Sequence, residues 1–208
     1  MTAQILAMPK TRVLDLAEQI TLILLYGLLV YRLFPSELTE DAWYPLILLA
    51  SEGMAAVILI LRRQTDQISV NLGDWVIAAT ATFAVLAVTK GGTPIAHVPA
   101  MMLMLWGLCF QVAAKLTLRR SFGLVAAHRG LVLGGVYGYV RHPMYAGYLL
   151  SHIGFLLWAP TFWNFGVYAV AWACMWIRMN AEERVLGEDP HYSAYMERVR
   201  YRLIPLVY

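Results

Sequence analysis

Two polar clusters in this 208-residue chain combine residue types that can do chemistry. The first is the run Gly134-Gly135-Val136-Tyr137-Gly138-Tyr139-Val140-Arg141-His142-Pro143-Met144-Tyr145-Ala146-Gly147, which is glycine-rich, aromatic and basic. The second is Arg178 with Glu182 and Glu183. On a helix, Arg178 and Glu182 lie four apart on one face, with Glu183 about 100° round from Glu182. A guanidinium only donates hydrogen bonds, a carboxylate only accepts them and an imidazole does either. Glycines at 134, 135 and 138 permit close backbone approach. The two clusters are expected to form one site. Each also has a plainer reading: Arg178 and Glu182 as an interfacial ion pair, and Arg141-His142-Pro143 as a cationic anchor leading into a helix with proline in its first turn.

The elements that must position these clusters are membrane helices. The chain is 60% hydrophobic and only 14% charged, with a mean hydropathy of +0.60. Soluble domains carry roughly 25% charged residues. A hydrocarbon core of about 30 Å asks for roughly 20 apolar residues per helix. Four runs answer that description: Val13 to Phe34, Trp43 to Leu61, Asp74 to Thr89 and Val98 to Leu118. From Met144 to Ile177 the chain is apolar again, but Pro160, Thr161 and Asn164 interrupt it, which predicts a hairpin of two short spans. The expected fold is all-α: one polytopic helical bundle over residues 1–208, with about five to six transmembrane helices and an amphipathic cytoplasmic tail from Arg178 to Tyr208. Residues 1–118 supply the N-terminal spans, and 119–208 carry both clusters.

Basic residues set the expected orientation. Lys10 and Arg12, Arg62 and Arg63, the stretch from Arg119 to Arg141, and Arg178 onward fall on one side; Glu37, Glu40, Asp41, Lys90 and the Pro160 turn fall on the other. Both termini are therefore expected in the cytoplasm, with the first run as an uncleaved anchor, and the chain's shortness without a retrieval signal favours a bacterial inner membrane. The net charge of +3 is spread between apolar runs, so nucleic acid is not an expected partner. Cys109 and Cys174 each stand alone in an apolar run, which suggests neither a disulfide nor a metal site. Glu52 and His152 both fall near mid-bilayer and are expected either to pair or to make structural contacts between helices. Gln111 reads as interhelical glue.

The motifs carry a resemblance. Gly135-Val136-Tyr137, then Val140-Arg141-His142-Pro143-Met144-Tyr145 and Gly147, followed by Arg178, Glu182-Glu183, Leu186, Tyr192, Tyr195, Val199 and Pro205, resemble the C-terminal half of the isoprenylcysteine carboxyl methyltransferase family, which is related to the integral-membrane phospholipid methyltransferases. The likeness covers about 90 residues, with Arg119-Arg120-Ser121-Phe122 at its upstream edge. One departure is the shorter link Gly187-Glu188-Asp189-Pro190, without the Phe-Gly pair that often precedes the first of the two tyrosines.

The resemblance implies methyl transfer from S-adenosylmethionine to a lipophilic or prenylated acceptor at the cytoplasmic face. Gly135, Tyr137, Tyr139, Arg141, His142, Pro143, Tyr145, Glu182 and Glu183 would then bind the cofactor, and Arg178 with Glu182 would be catalytic. Arg141 and His142 suit the cofactor's carboxylate, the glutamates its ribose diol or ammonium, and the tyrosine rings its adenine or sulfonium. Arg178 is the candidate to hold an acceptor carboxylate. An amine acceptor would instead require His142 or a glutamate as base. No glycine motif between strand and helix signals a Rossmann fold. Two other readings stand beside this one. A sterol-reductase-like enzyme would use Arg119, Arg120 and Arg129 on the 2′-phosphate of NADPH, and a small transporter would use Glu52 with His152 as a polar path.

Overall fold

The computed structural model describes residues 9–33, 57–65, 67–89, 91–205 and 207. The expectations for Pro35, Glu37, Glu40, Asp41, Trp43, Tyr44, Pro45, Glu52 and Lys90, and for most of the Trp43 to Leu61 run, lie outside these residues. Among the described residues the fold is helical, with one isolated β-bridge between Ile68 and Ala127 and no named strand. In chain order the helices are α1 (Lys10–Leu33), α2 (Leu72–Phe83), α3 (His97–Leu118), α4 (Pro143–Trp158), α5 (Phe162–Leu186) and α6 (Pro190–Arg198). Among the described residues, the 3-10 turns Ala84–Ala87, Arg119–Ser121 and Gly135–Gly138 lie between them.

By length and composition, His97–Ser121 is the one described helical segment that suits a bilayer crossing. Its neighbours are shorter or carry charged ends. α1 opens with Lys10 and Arg12 and carries Asp15, Glu18 and Gln19, while α5 ends in Arg178, Glu182, Glu183 and Arg184. α4 has only 16 residues. α2 and its 3-10 extension together rise about 26 Å. They nonetheless match α5 end for end. Asp74 at the start of α2 pairs with Arg184 at 2.6 Å, and Ala87 O accepts from Trp163 Nε1 at 2.8 Å.

Helix boundaries follow local chemistry. Pro143 opens α4, where a missing N–H costs nothing and its φ is already helical. The chain turns back at Ala159–Thr161, and Thr161 caps α5 by accepting from Asn164 N at 3.1 Å. Asn164 is fully buried; it bonds Thr89 through both amide atoms and donates to Ala159 O, closing this end of the bundle. Asp189 caps α6 by accepting from His191 N at 2.8 Å, with Pro190 in the first turn.

The antiparallel pair α3–α4 is the tightest seam. A methyl group at Gly147 would stand 2.7 Å from Gly107 O, and one at Gly154 equally close to Ala100 O. Such small-residue contacts let helix backbones approach in the way membrane helices favour. Gln111 Nε2 donates to Ser151 Oγ at 3.1 Å across this seam, as interhelical glue would. Deeper along α4, His152 stacks on Tyr168 at 4.3 Å, and its Nδ1 accepts from Trp172 Nε1 at 3.1 Å. Glu52 lies outside the described residues, and His152 contacts Tyr168 and Trp172 of α5 and Tyr148 of its own helix.

The seam and the hairpin have one consequence for function. The segments around Arg12, Arg62–Arg63, Arg119–Arg141 and Arg178–Arg184 gather at one end of the bundle, and Gly91, Gly92 and Pro160 at the other.

Candidate functional site

The N-terminus of α4 and the last turns of α5 meet at the basic end. His142 Nε2 donates to Glu183 Oε1 at 2.9 Å, and Arg141 Nε lies 3.4 Å from the same oxygen. Arg202, from the segment after α6, donates to Glu183 Oε2 at 2.6 Å. Both Glu183 oxygens thus face cations. Burial pushes the Glu183 carboxyl up, but His142, Arg202 and Arg141 outweigh it and hold the group below its ordinary range.

Glu182 has different company. Its Oε1 accepts from Tyr145 OH at 2.6 Å and from Arg178 Nε at 3.1 Å. Its Oε2 lies 3.8 Å from His142 Nδ1. In a neutral His142 ring the proton sits on Nε2, toward Glu183, so Nδ1 is an acceptor. Two acceptors then face each other with no donor between them. Arg178 also donates through Nη2 to Gly123 O at 3.2 Å and lies 5.4 Å from the Tyr145 ring centre, within cation–π range.

These groups border a cleft between the α3 end, the loop after it and α6. Tyr137, Arg141, His142, Tyr145 and Glu182 line one side, and Gly123, Arg129, Tyr192 and Tyr195 are among those closing it. Arg141 Nε is buried without a hydrogen bond. At 3.4 Å it is near enough to Glu183 for attraction, but the geometry is not that of a bond, so this donor is available to another group. Tyr195 OH donates to Tyr137 O at 2.7 Å and so fixes the 3-10 turn. Burial pushes the Tyr195 hydroxyl up to about 12, which keeps it a neutral donor near pH 7.

The expected site residues fall into three groups. Tyr137, Arg141, His142, Tyr145 and Glu182 share the cleft wall. Glu183, Arg178 and Pro143 stand behind it: Glu183 touches His142, Arg178 touches Tyr145 and Glu182, and Pro143 is buried at the helix start. Gly135 holds a φ of +60° with Thr117 3.1 Å from where a Cβ would be, so it shapes the turn without lining the cleft. Tyr139 is 77% exposed and stands outside the cleft altogether.

Other residues the sequence did not mark as site residues matter here. Asp15 and Glu18 of α1 are buried with Arg62 and Arg129. Arg62 donates to Asp15 Oδ1 and Glu18 Oε2 at 2.9 Å, and Arg129 Nη2 donates to the same two oxygens at 2.7 Å. Glu18 Oε1 also accepts from Leu124 N at 2.6 Å and Val125 N at 2.9 Å, anchoring the loop that forms a cleft wall. Two acids three apart at the start of an apolar run were the available signal. Arg129 is committed to these acids and Arg120 Nε to Leu61 O at 2.7 Å, which leaves the arrangement poorly suited to a 2′-phosphate.

No curated protein matches the chain. The family model for phospholipid methyltransferases matches residues 95–192, from just before α3 into the first turn of α6. Over that stretch, which holds α3, α4, α5 and most of the cleft wall, the chain is similar to a membrane-associated methyltransferase family whose chemistry requires a methyl donor.

Proposed function

We propose that this protein is a membrane methyltransferase that uses S-adenosylmethionine and methylates a lipophilic acceptor, with a carboxylate such as that of an isoprenylcysteine or related isoprenoid lipid as its target. The observation that carries the reading is the convergence of the Arg141-His142 segment and the Glu182-Glu183 pair on one cleft, inside the stretch that resembles methyltransferases. The available hydrogen-bonding groups fit the donor. Arg141, with its buried unbonded Nε, would hold the amino-acid carboxylate. With the His142 ring neutral, its Nδ1 and Glu182 Oε2 are two acceptors 3.8 Å apart and would share an ammonium or a hydroxyl pair. The buried rings of Tyr137 and Tyr145 would flank the ligand. Bound S-adenosylmethionine supplies a methyl group activated by its sulfonium.

The chain's own work is positioning and exclusion of water. An acceptor carboxylate is already ionised near pH 7 and needs no base. Arg178, fixed behind the cleft wall by Glu182 and the Tyr145 ring, is the candidate to hold that carboxylate. Anion and sulfonium neutralise each other as the methyl moves, so a wall of buried tyrosines favours the step together with alignment. With an amine acceptor, His142 Nδ1 would take the proton instead. Both termini would face the compartment that supplies the donor, consistent with the basic segments gathering at one end.

Titration of purified protein with S-adenosylhomocysteine tests the donor site. Glu183→Gln and His142→Ala are each expected to weaken binding about 10- to 100-fold while eluting as single folded species; unchanged affinity in both overturns the assignment. Incubation with isotopically labelled S-adenosylmethionine and candidate lipids, read by mass spectrometry, identifies the acceptor atom.

A further inference from the structure

We propose that Arg202 is a positioning residue of the donor site, brought there by a C-terminal strap and acting through Glu183. The inference rests on the donor-site reading above. It begins from the accounting of Glu183: Oε1 serves His142 and faces Arg141, and Oε2 serves Arg202 at 2.6 Å. Neither oxygen is left without a cationic neighbour, so Glu183 orients the groups that meet the ligand. Arg202 holds the far side of that carboxylate. Without it, Glu183 can rotate, and His142 loses the partner that directs Nδ1 toward Glu182.

The backbone of the same segment reinforces the contact. Tyr201 O accepts from Arg141 N at 2.9 Å and Arg202 O from His142 N at 2.8 Å. The strap therefore addresses the Arg141-His142 pair twice, once through main chain and once through Glu183. Apolar anchors hold it on both sides. Tyr195 and Val199 are buried in a cluster with Leu131, Leu133 and Leu186, and Leu203 packs against the core of Tyr145, Met175 and Met179. The Arg202 side chain is 22% exposed and forms no part of these apolar clusters. An exposed ion pair contributes little. This one differs because Glu183 is buried to 9% exposure and shared with His142. Arg202 also lies beyond the stretch that matches the family model.

The test is calorimetric titration of S-adenosylhomocysteine into full-length protein in nanodiscs. Wild-type binding comes first; its absence overturns the donor-site reading and, with it, the role of Arg202. Given wild-type binding, Arg202→Ala is expected to weaken affinity roughly tenfold, the scale of a charge-assisted hydrogen bond, and Arg202→Lys less. Arg202→Gln, which retains most of the stem, serves if the alanine variant fails to fold. In a Glu183→Gln background assayed at high ligand concentration, the effect of removing Arg202 should shrink below about twofold, because coupled residues are not additive. Affinity of Arg202→Ala and Arg202→Gln within about twofold of wild type, or an undiminished loss in the Glu183→Gln background, overturns the proposal.

A pH profile separates this from a general structural role. Glu183 is faced by His142 and Arg141 from the α4 start, by Arg202 from the strap and by Tyr192 from α6, with Glu182 beside it on α5. Removing Arg202 leaves fewer cations, so the acid limb of the binding profile should move to higher pH. An unmoved limb counts against the proposal.

Discussion

The molecule buries two ionic clusters near the same end, and they are built to opposite ends. In the first, Arg62 and Arg129 face Asp15 and Glu18, two charges of each sign, with all four side chains almost wholly buried. In the second, Arg141, Arg178 and Arg202 face Glu182 and Glu183, with His142 between. The first is charge-balanced and bonded mainly to itself and to the backbone of the cleft loop. The second has one more guanidinium than carboxylate and one side open to a cleft, whereas a buried unbonded Nε occurs in both, at Arg62 and Arg129 as at Arg141. A balanced, enclosed cluster fastens elements together. An unbalanced, open one retains capacity for an anionic ligand group, and the difference separates scaffold from site more clearly than polarity alone.

Breaking the first cluster should have the largest effect. Glu18→Ala leaves two buried guanidiniums short of a partner and frees the Leu124 and Val125 amides; a loss of about 3–5 kcal/mol is expected, read as a fall in thermal midpoint. His142→Ala in the second cluster should leave that midpoint nearly unchanged while donor affinity drops roughly 10- to 100-fold, measured by titration. If His142→Ala destabilises as strongly as Glu18→Ala, the division between the clusters is wrong.

A smaller effect is expected from pH. The Glu183 carboxyl is held below its ordinary value of 4.5, so its contribution to stability is fully present above that value and is lost as pH falls through the depressed folded-state value. The midpoint difference between wild type and Glu183→Gln should therefore be constant from neutral pH to about pH 5 and close only in stronger acid. A gap that closes near pH 6 would assign it to another group. The smallest change belongs to Arg184→Ala. Its pair with Asp74 places a 59% exposed side chain against a buried acid, and removal should cost about 1 kcal/mol or less with donor affinity unchanged.

Much of this was legible in the residues. The interruption at Pro160–Asn164 marks the hairpin turn, because proline and a capping threonine stop one helix and start the next. The run from His97 is apolar enough to read as a span from composition. Tyr137 and Tyr139 were not separable, since both sit two apart in a glycine-rich segment. The 3-10 turn buries the first at 8% exposure and leaves the second outside. The α1 acids read as ordinary residues near the start of a span, because their partners Arg62 and Arg129 lie 44 to 114 positions away.

The sequence by itself determined the chemical inventory: an apolar chain interrupted by basic segments, with an Arg-His-Pro turn and a glutamate pair on either side of a hairpin. Residue type and helical spacing suffice for that, because hydropathy and side-chain chemistry are local properties. Only the tertiary structure decided which acid holds and which acid faces the cleft. Glu182 and Glu183 are adjacent and chemically alike, yet helical rotation turns one toward Tyr145 and the cleft and the other toward Arg202. Whether a carboxylate has capacity left for a ligand depends on the donors that surround it, and here those come from segments that meet only in the folded chain.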